Sequence, residues 1–319
     1  MKTLYTSLLM TFAFSGFSQT PVNLNIYHKL GTADFAYNQP SQNNMSNGNF
    51  KLTRMEYYMT KFTIIHDGGM ITTVPSSVVA IVKANEQTSI ALGSFNVTNI
   101  EGIKFHIGVH TPVNHQDPSV QPSGTPLSFQ SPSMHWGWTS GYRFIALEGK
   151  TGTAMNQTTE LHGLGDANYY ETTVMAVGNL FNGEYFVNVD ADYNRALENV
   201  NISQGVVVHG ENQEAAVMIA NFKNYVYSPS ASLAGLTESI AENTSVYPIP
   251  SNGSLTISTP VNFIGNSIKI FDLTGKLIQE HLLVDGQNKL GISLKNKGFY
   301  ILDFYQNNDK LFSKKVLNN

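Results

Sequence analysis

The sequence contains no cysteine. The lack of thiols excludes disulfide bonds, thiolate metal sites, cysteine nucleophiles and a lipid attached to cysteine after a signal sequence. Packed hydrophobic cores must therefore stabilise the fold. Charged residues are also scarce, at 13% of the chain with a net charge of −4. Without a basic stripe or a polybasic cluster, nucleic acids and anionic membranes are not expected partners.

Long apolar runs are missing as well, because no segment approaches the roughly 20 apolar residues of a membrane-spanning helix. A shorter apolar run covers residues 4–17, after a positively charged start at Lys2 and before small residues that end at Ser18. This arrangement is typical of a signal peptide. We expect cleavage near Ser18 and a mature protein without a transmembrane segment, outside the cytoplasm.

Apolar and polar residues alternate in short segments, as they do in β-strands with one buried face. Turn-forming Asn-Gly, Asp-Gly and Gly-rich stretches separate these segments. The predicted strands are residues 22–27, 61–66, 78–82, 102–109, 142–147, 170–177 and 184–189. Residues 214–225 have apolar side chains near helical spacing and predict one short helix. We expect an all-β protein whose main domain is a β-sandwich closed by that helix.

Small and polar residues without a period follow the main domain and are typical of a linker. After them, strands alternate with Asn-Gly and Thr-Gly turns, which predicts a small Ig-like β-sandwich of about seven short strands. The predicted organisation is a signal peptide at 1–18, a β-sandwich domain at 20–228, a linker at 229–244 and a second module at 245–319.

The second module has an ordered set of motifs. They are Tyr-Pro-Ile-Pro at 247–250, Asp-Leu-Thr-Gly-Lys at 272–276, Gly-Phe-Tyr at 298–300 and a basic end at 314–315. In this order they resemble the C-terminal sorting domain of the type IX secretion system, although Ile249 stands where that family more often has Asn. The resemblance implies a Bacteroidota protein that this machinery carries across the outer membrane, after which the tail is commonly removed or attached to the surface. We expect this module to be a sorting signal without an activity of its own.

Histidine is frequent for a chain with so little charge, and eight of the nine histidines precede the linker. Neutral imidazole is a good ligand for copper or zinc in a protein without thiols. Short metal motifs such as H-E-x-x-H are missing. The most crowded stretch is residues 134–144, which holds both tryptophans, Trp136 and Trp138, directly after His135.

Motifs throughout residues 22–225 resemble the MbnP-like family of copper-binding proteins. They lie at 26–31, 52–62, 105–110, 134–149, 161–163 and 208–210, followed by the apolar residues 215–222. The resemblance implies copper held by histidines, with a tryptophan that some members oxidise to kynurenine and add to the coordination sphere. The oxidant in some relatives is a separate dihaem enzyme. A departure is His110, where the family usually has Asp.

The resemblance makes His28, His135 and His162 the candidate metal ligands and Trp136 the candidate kynurenine. The alternative roles are hydrogen bonding at strand ends for His28 and His162, and aromatic packing for His135. Trp136 and Trp138 would share one face of a regular strand unless Gly137 bends the chain. Further candidate ligands, each with a structural role as the alternative, are His209, His110 and His115.

These observations predict a secreted copper-binding protein for uptake, storage or delivery of the ion. The sequence has no phosphate loop or nucleophile elbow, so we expect no enzymatic activity. The alternative is a surface adhesion or ligand-binding module on the same scaffold without a metal site, in which Trp138 and residues 116–133 contact a glycan or a protein. A copper redox enzyme is a weaker third hypothesis, because the sequence indicates no substrate pocket.

Overall fold

A computed structural model describes residues 19–43, 48–181, 183–230, 240–260, 263, 265–284, 287–306 and 309–319. The predicted signal peptide at 1–18 lies outside the described residues, as does most of the predicted linker. The prediction of an all-β protein is confirmed, since most described residues are in strands. Within these ranges, no helix is long and apolar enough to cross a membrane.

The strands of the first part of the chain are β1 (Thr20–Leu30), β2 (Ala33–Asp34), β3 (Ser41–Asn43), β4 (Gly48–His66), β5 (Met70–Thr73), β6 (Ala80–Lys83), β7 (Thr88–Phe95), β8 (Ile100–Ile107), β9 (Ile145–Thr151), β10 (Gln157–Gly163), β11 (Tyr170–Val174), β12 (Gly178–Phe181), β13 (Glu184–Asp192), β14 (Val206–Gly210) and β15 (Tyr227–Pro229). Helix α1 (Gln213–Asn221) and a π turn (Phe222–Val226) precede β15. Short 3-10 turns lie at Val113–His115, Pro118–Val120, Asp166–Asn168 and Arg195–Leu197. The helix predicted at 214–225 is therefore confirmed, with its last turn as a π turn.

Two sheets form a sandwich. The smaller sheet has the order β12-β13-β1-β2, with β15 and β7 pairing β13 and β1, and its central β1–β13 pair is parallel. The larger sheet has the order β11-β8-β4-β9-β10-β14, with β3, β5 and β6 also pairing β4. Strand β4 is its central strand, because it pairs with β9 along its first half and with β8 along its second half.

Side chains of β4 alternate between the two faces of the larger sheet. Met55 and Tyr57 point into the core between the sheets, where Tyr57 contacts Tyr193 and Phe222. Arg54, Glu56 and Tyr58 point to the outer face, and all three are buried. They are buried because an irregular segment, residues 108–144, covers the outer face. We call residues 108–144 the covering segment.

Two tyrosines attach the covering segment to the outer face. The Tyr58 ring packs edge-on against the Tyr142 ring, with centroids 5.5 Å apart. The Tyr58 hydroxyl donates to the Pro126 carbonyl at 3.0 Å, and the Tyr142 hydroxyl donates to the Leu127 carbonyl at 2.6 Å. The predicted strand at 142–147 begins only at Ile145, because the three residues before it belong to the covering segment.

The second part of the chain has its own core, which includes Leu255, Ile270 and Phe304. A three-stranded and a four-stranded sheet enclose it in the described residues, which agrees with the prediction of about seven short strands. These strands are β16 (Ser245–Tyr247), β17 (Ser254–Ser258), β18 (Ser267–Asp272), β19 (Leu277–Leu282), β20 (Lys289–Ser293), β21 (Gly298–Gln306) and β22 (Asp309–Asn318).

Glycine is required where β9 crosses an irregularity of β4. Gly149 pairs with Leu52 at the register shift between Leu52 and Arg54, and a Cβ atom on Gly149 would lie 2.3 Å from the Lys51 carbonyl oxygen. We expect Gly149→Ala to reduce the free energy of unfolding by about 2 kcal/mol or more, since a backbone atom must move to admit the methyl group. Urea unfolding of the mature chain measures this, with Gly291→Ala as control because the space around Gly291 is open. Equal losses in the two variants would contradict the prediction.

His28 is a second feature of the fold with a measurable consequence. It lies on β1, and its two ring nitrogens share hydrogen bonds with the Tyr193 hydroxyl at 2.6 Å and the Thr88 hydroxyl at 3.0 Å. Burial lowers the pKa of His28 from 6.5 to about 4, against a smaller opposing effect of a backbone hydrogen bond with Glu86.

We therefore expect acid to destabilise the fold through His28. The unfolded chain binds a proton at a higher pH than the folded chain, so the stability that depends on the neutral ring is complete above pH 6.5 and is lost as the pH falls towards 4. Urea unfolding between pH 7.5 and 4 should show a smaller acid loss for His28→Gln than for the wild type. The difference should reach up to about 3 kcal/mol, at about 1.4 kcal/mol per pKa unit. Equal losses in both proteins would contradict this assignment.

Candidate metal centre

The outer face of the larger sheet carries a buried ionic cluster centred on Arg54. Its guanidinium donates to the Glu56 carboxylate at 2.8 and 3.1 Å and to the Glu148 carboxylate at 2.8 Å. The same group donates to the carbonyls of Pro132 and Ser133 in the covering segment, at 3.3 and 3.2 Å. One cation thus joins β4, β9 and the covering segment. Buried charges with this many partners are stable, whereas removal of one partner leaves the rest unpaired.

Two histidines lie beside this cluster, on the parallel strands β10 and β14. His162 and His209 occupy the same register position in that pair, so their side chains leave the sheet side by side. Their rings are stacked, with centroids 4.3 Å apart and planes 12° apart. We call His162 and His209 the histidine pair. His162 is buried, whereas the side chain of His209 is 26% exposed.

Each member of the histidine pair faces a carboxylate. His162 Nε2 lies 2.9 Å from Glu148 Oε1, and His209 Nε2 lies 3.5 Å from Glu160 Oε2. Burial would raise the pKa of the Glu148 carboxyl, but hydrogen bonds from Arg54 and His162 hold it below its ordinary value. An ionised carboxylate can only accept hydrogen bonds.

The His162 ring is held in its neutral form. Burial lowers the pKa of His162 to about 4, and it outweighs the hydrogen bond with Glu148, which acts in the opposite direction. The positive charge of Arg143 and the neighbouring His209 lower this pKa further. His162 Nδ1 is buried and has no hydrogen-bond partner among the described residues. A neutral imidazole with one nitrogen free of hydrogen bonds is the form that binds a metal ion.

Trp136, which belongs to the covering segment, lies against the histidine pair. Residues 134–143 form a hairpin, in which the Trp136 amide donates to the Gly141 carbonyl at 2.9 Å and the Arg143 amide donates to the Met134 carbonyl at 2.9 Å. We call residues 134–143 the tryptophan hairpin. The Trp136 ring lies 5.0 Å from the His209 ring and 5.8 Å from the His162 ring, between centroids. The Arg143 guanidinium carbon lies 4.3 Å from the centroid of the same indole.

The two tryptophans have different surroundings because the chain turns between them. Gly137 has a φ of 115°, and the Gly141 amide donates to the Gly137 carbonyl at 2.7 Å. Gly137 is therefore the bend that separates Trp136 from Trp138. Trp138 is 70% exposed, and its carbonyl shares a hydrogen bond with His115 Nδ1 at 2.9 Å.

Two polar residues support the turn of the tryptophan hairpin. Asn114 is fully buried; its side chain accepts from the Tyr142 amide at 2.9 Å and donates to Asp166 at 2.8 Å. His115 Nε2 lies 3.0 Å from the other Asp166 oxygen, so both of its ring nitrogens have partners. The hydrogen bond with the Trp138 carbonyl, followed by the one with Asp166, raises the pKa of His115. This places His115, a candidate ligand from the sequence, in a supporting role.

The three histidines predicted as ligands are not brought together. His28 contacts Tyr193, which packs against Tyr57 on the inner side of the larger sheet, whereas His162 lies on the outer side. Both ring nitrogens of His28 are already hydrogen-bonded. The sheet itself separates His28 from His162. The role of His28 as a ligand stays a prediction that this geometry does not favour.

His135 lies on the outer side too, but on the opposite side of the tryptophan hairpin from Trp136. Its ring packs edge-on against Tyr142, with centroids 4.8 Å apart, and its Nδ1 accepts from the Gly137 amide at 3.2 Å. Burial lowers the pKa of His135, and its Nε2 is buried without a hydrogen-bond partner. These contacts agree with aromatic packing, the alternative role of His135 in the sequence analysis.

His110, the remaining candidate ligand, lies with His106 near Lys61. The His106 ring stacks on Tyr169 at 4.5 Å, and burial lowers the pKa of both histidines, with a smaller effect in the same direction from the Lys61 charge. Taking all described residues, no group of three or more His, Asp or Glu side chains is arranged to hold a metal.

The histidine pair offers donors of the kind that copper takes. Two adjacent imidazoles are suitable donors for copper, and His162 Nδ1 is buried without a partner. Sequence reasoning ranked His209 below His28 and did not connect Glu148 with His162. The repeated His-Gly dipeptide, at 162–163 and 209–210, was the available signal, because both copies end a strand at the same level of the sheet.

A family model for MbnP matches residues 19–218, and a model for the secretion system C-terminal sorting domain matches residues 245–318. No curated protein matches the chain. Among solved structures, MbnP from Methylosinus trichosporium aligns at 18% sequence identity with a TM-score of 0.43, over 60% of this chain and 82% of that one.

The sorting domain directs the chain to the type IX secretion machinery and across the outer membrane, to the cell surface or the medium. The MbnP model covers more than half of the sequence. The chain therefore belongs to the MbnP family.

Proposed function

We propose that this protein is an exported copper-binding protein for uptake, storage or delivery of the ion, and that it is not an enzyme. Membership of a family associated with copper supports the proposal. The observation that carries it is the histidine pair, in which His162 and His209 stack at 4.3 Å while His162 Nδ1 has no other partner. His162 and His209 would hold the ion through their ring nitrogens.

Local charge supports a cation at this position. Arg54 is neutralised by the carboxylates of Glu56 and Glu148, and Glu160 adds a negative charge beside the histidine pair. Arg143 stacks on the indole of Trp136, and its positive charge also acts on Glu148 and His162. Three carboxylates against two guanidinium groups give the cluster a net negative charge, which attracts a metal cation.

Trp136 is the residue placed to complete the site. An intact indole offers only an N–H donor, whereas kynurenine offers an aryl amine and a ketone that bind a metal. Trp136 contacts both members of the histidine pair, whereas Trp138 is 70% exposed. We therefore propose Trp136 as the residue that would be oxidised. The oxidant must come from another protein, such as a dihaem enzyme, because this chain has no haem-attachment motif.

The alternative function is a surface module that binds a glycan or a protein without a metal. Its supporting observation is the covering segment, where Trp138 is 70% exposed and Phe129 is 72% exposed. Exposed aromatic side chains are frequent in binding surfaces. They lie on the solvent side of the covering segment and leave the histidine pair unexplained, so copper binding is the better supported function.

Copper content tests the proposal. We expect His162→Ala and His209→Ala each to weaken copper binding by more than the roughly 10- to 100-fold typical of losing an outer-shell partner, because each removes a ligand. Metal analysis of protein secreted by its host, followed by copper titration against a competing chelator, measures the change. Peptide mass spectrometry of the same samples shows whether Trp136 carries the mass change of kynurenine.

His28→Gln is the discriminating variant, because His28 lies on the other side of the sheet. We expect it to keep the copper affinity of the wild type. Loss of copper in His28→Gln with retention in His209→Ala would contradict the histidine pair as the site. A wild-type protein without copper after reconstitution would overturn the proposed function and favour the surface-binding module.

A further inference from the structure

The contact between His162 and Glu148 determines which ring nitrogen of His162 carries the proton. His162 Nε2 is 2.9 Å from Glu148 Oε1, and the same carboxylate accepts from the Arg54 guanidinium at 2.8 Å. A carboxylate paired with a guanidinium is ionised and cannot donate a hydrogen bond. The hydrogen in the contact with His162 must therefore be on Nε2.

The other nitrogen of His162 is then left with a lone pair. Nδ1 is buried and has no hydrogen-bond partner among the described residues. Most buried side-chain nitrogen and oxygen atoms have a partner, so an isolated one calls for an explanation. A metal ion at Nδ1 would supply it, because ligating histidines usually donate their other N–H to a carboxylate.

We propose that Glu148 is a positioning residue for copper: it holds His162 in the Nε2–H form and reserves Nδ1 for the metal. The inference rests on the proposed function of the histidine pair. Arg54 acts one step further from the metal, since it holds Glu148 against His162. Arg54 also donates to the Ser133 carbonyl at 3.2 Å, next to the tryptophan hairpin, so it links the orientation of the histidine to the position of Trp136.

The second histidine is held less tightly, and this difference is part of the proposal. His209 Nε2 lies 3.5 Å from Glu160, beyond the usual range of an N–H···O hydrogen bond. Glu160 lies directly opposite Glu148 in the β9–β10 pair, whereas Arg54 pairs with Glu56 and Glu148. Glu148 thus fixes a buried ligand, whereas Glu160 only faces an exposed one. Replacing Glu148 should weaken copper binding more than replacing Glu160.

The proton position is measured directly in the metal-free mature protein. Long-range 1H–15N correlation spectra of 15N-histidine-labelled protein at pH 7.5 distinguish a protonated from an unprotonated ring nitrogen, and His162→Gln assigns the His162 signals. We expect a protonated Nε2 and an unprotonated Nδ1 at His162. A ring that is protonated at Nδ1, or that averages both forms, would overturn the inference. This measurement needs no copper and no variant of Glu148.

The effect on the metal is measured with Glu148→Gln. We expect a loss of copper affinity of about 10- to 100-fold, together with tautomer exchange at His162 in the metal-free spectrum. Glu171→Gln is the matched control, because Glu171 lies on the same sheet but pairs with Lys104 at 3.4 Å. It should keep both the affinity and the His162 spectrum of the wild type.

The outcomes separate the two proposals. Copper binding in the wild type with unchanged affinity in Glu148→Gln would overturn the role of Glu148 and leave the proposed function intact. A wild type that has the Nε2–H form but binds no copper would overturn the proposed function, and with it the role of Nδ1 as a ligand. Urea unfolding shows whether each variant still folds. If Glu148→Gln does not fold, the His162 spectrum of the wild type tests the inference by itself.

Discussion

The buried guanidinium of Arg54 is the interaction on which the outer face of the larger sheet depends. It pairs with Glu56 on its own strand and Glu148 on the next, and it also binds carbonyls at Pro132 and Ser133. Few side chains other than arginine present enough donors in a planar arrangement to do all of this. Without it, the buried Glu56 would lose its cationic partner, Glu148 would keep only its contact with His162, and the covering segment would lose a point of attachment. The position of Trp136 follows from the same contacts.

Strand pairing brings the histidine pair together and keeps other histidines away. His162 and His209 are 47 positions apart in sequence but lie level in the parallel β10–β14 pair. Side chains at the same level of adjacent strands lie on one face, so neither ring can reach the inner side of the sheet. His28 is on that inner side and is held by Tyr193 and Thr88. The fold therefore limits the candidate site to the outer face before any ligand chemistry is considered.

The sequence predicts the fold wherever burial of one face gives the apolar residues a regular spacing. Strands with one buried face alternate, and helix α1 shows helical spacing, so the sandwich and its helix followed from the sequence. The covering segment has no period, and its position depends on distant contacts such as Tyr58 with Tyr142. The site was predictable only in part for the same reason. His162 and Trp136 stand out locally, but the partnership of His162 with His209 depends on a pairing between distant strands.

The separation of these residues along the chain links metal binding to folding. Within the proposed function, the histidine pair comes from β10 and β14, Glu148 from β9, and Trp136 from the covering segment. In an extended chain these groups are far apart, so a site of this kind exists only after the sheet and the tryptophan hairpin have formed. Because copper would bind the folded state alone, its binding free energy adds to the stability of the fold. In a chain without disulfides, a metal that bridges β10, β14 and the covering segment would take over part of the cross-linking that cysteines provide in many exported proteins.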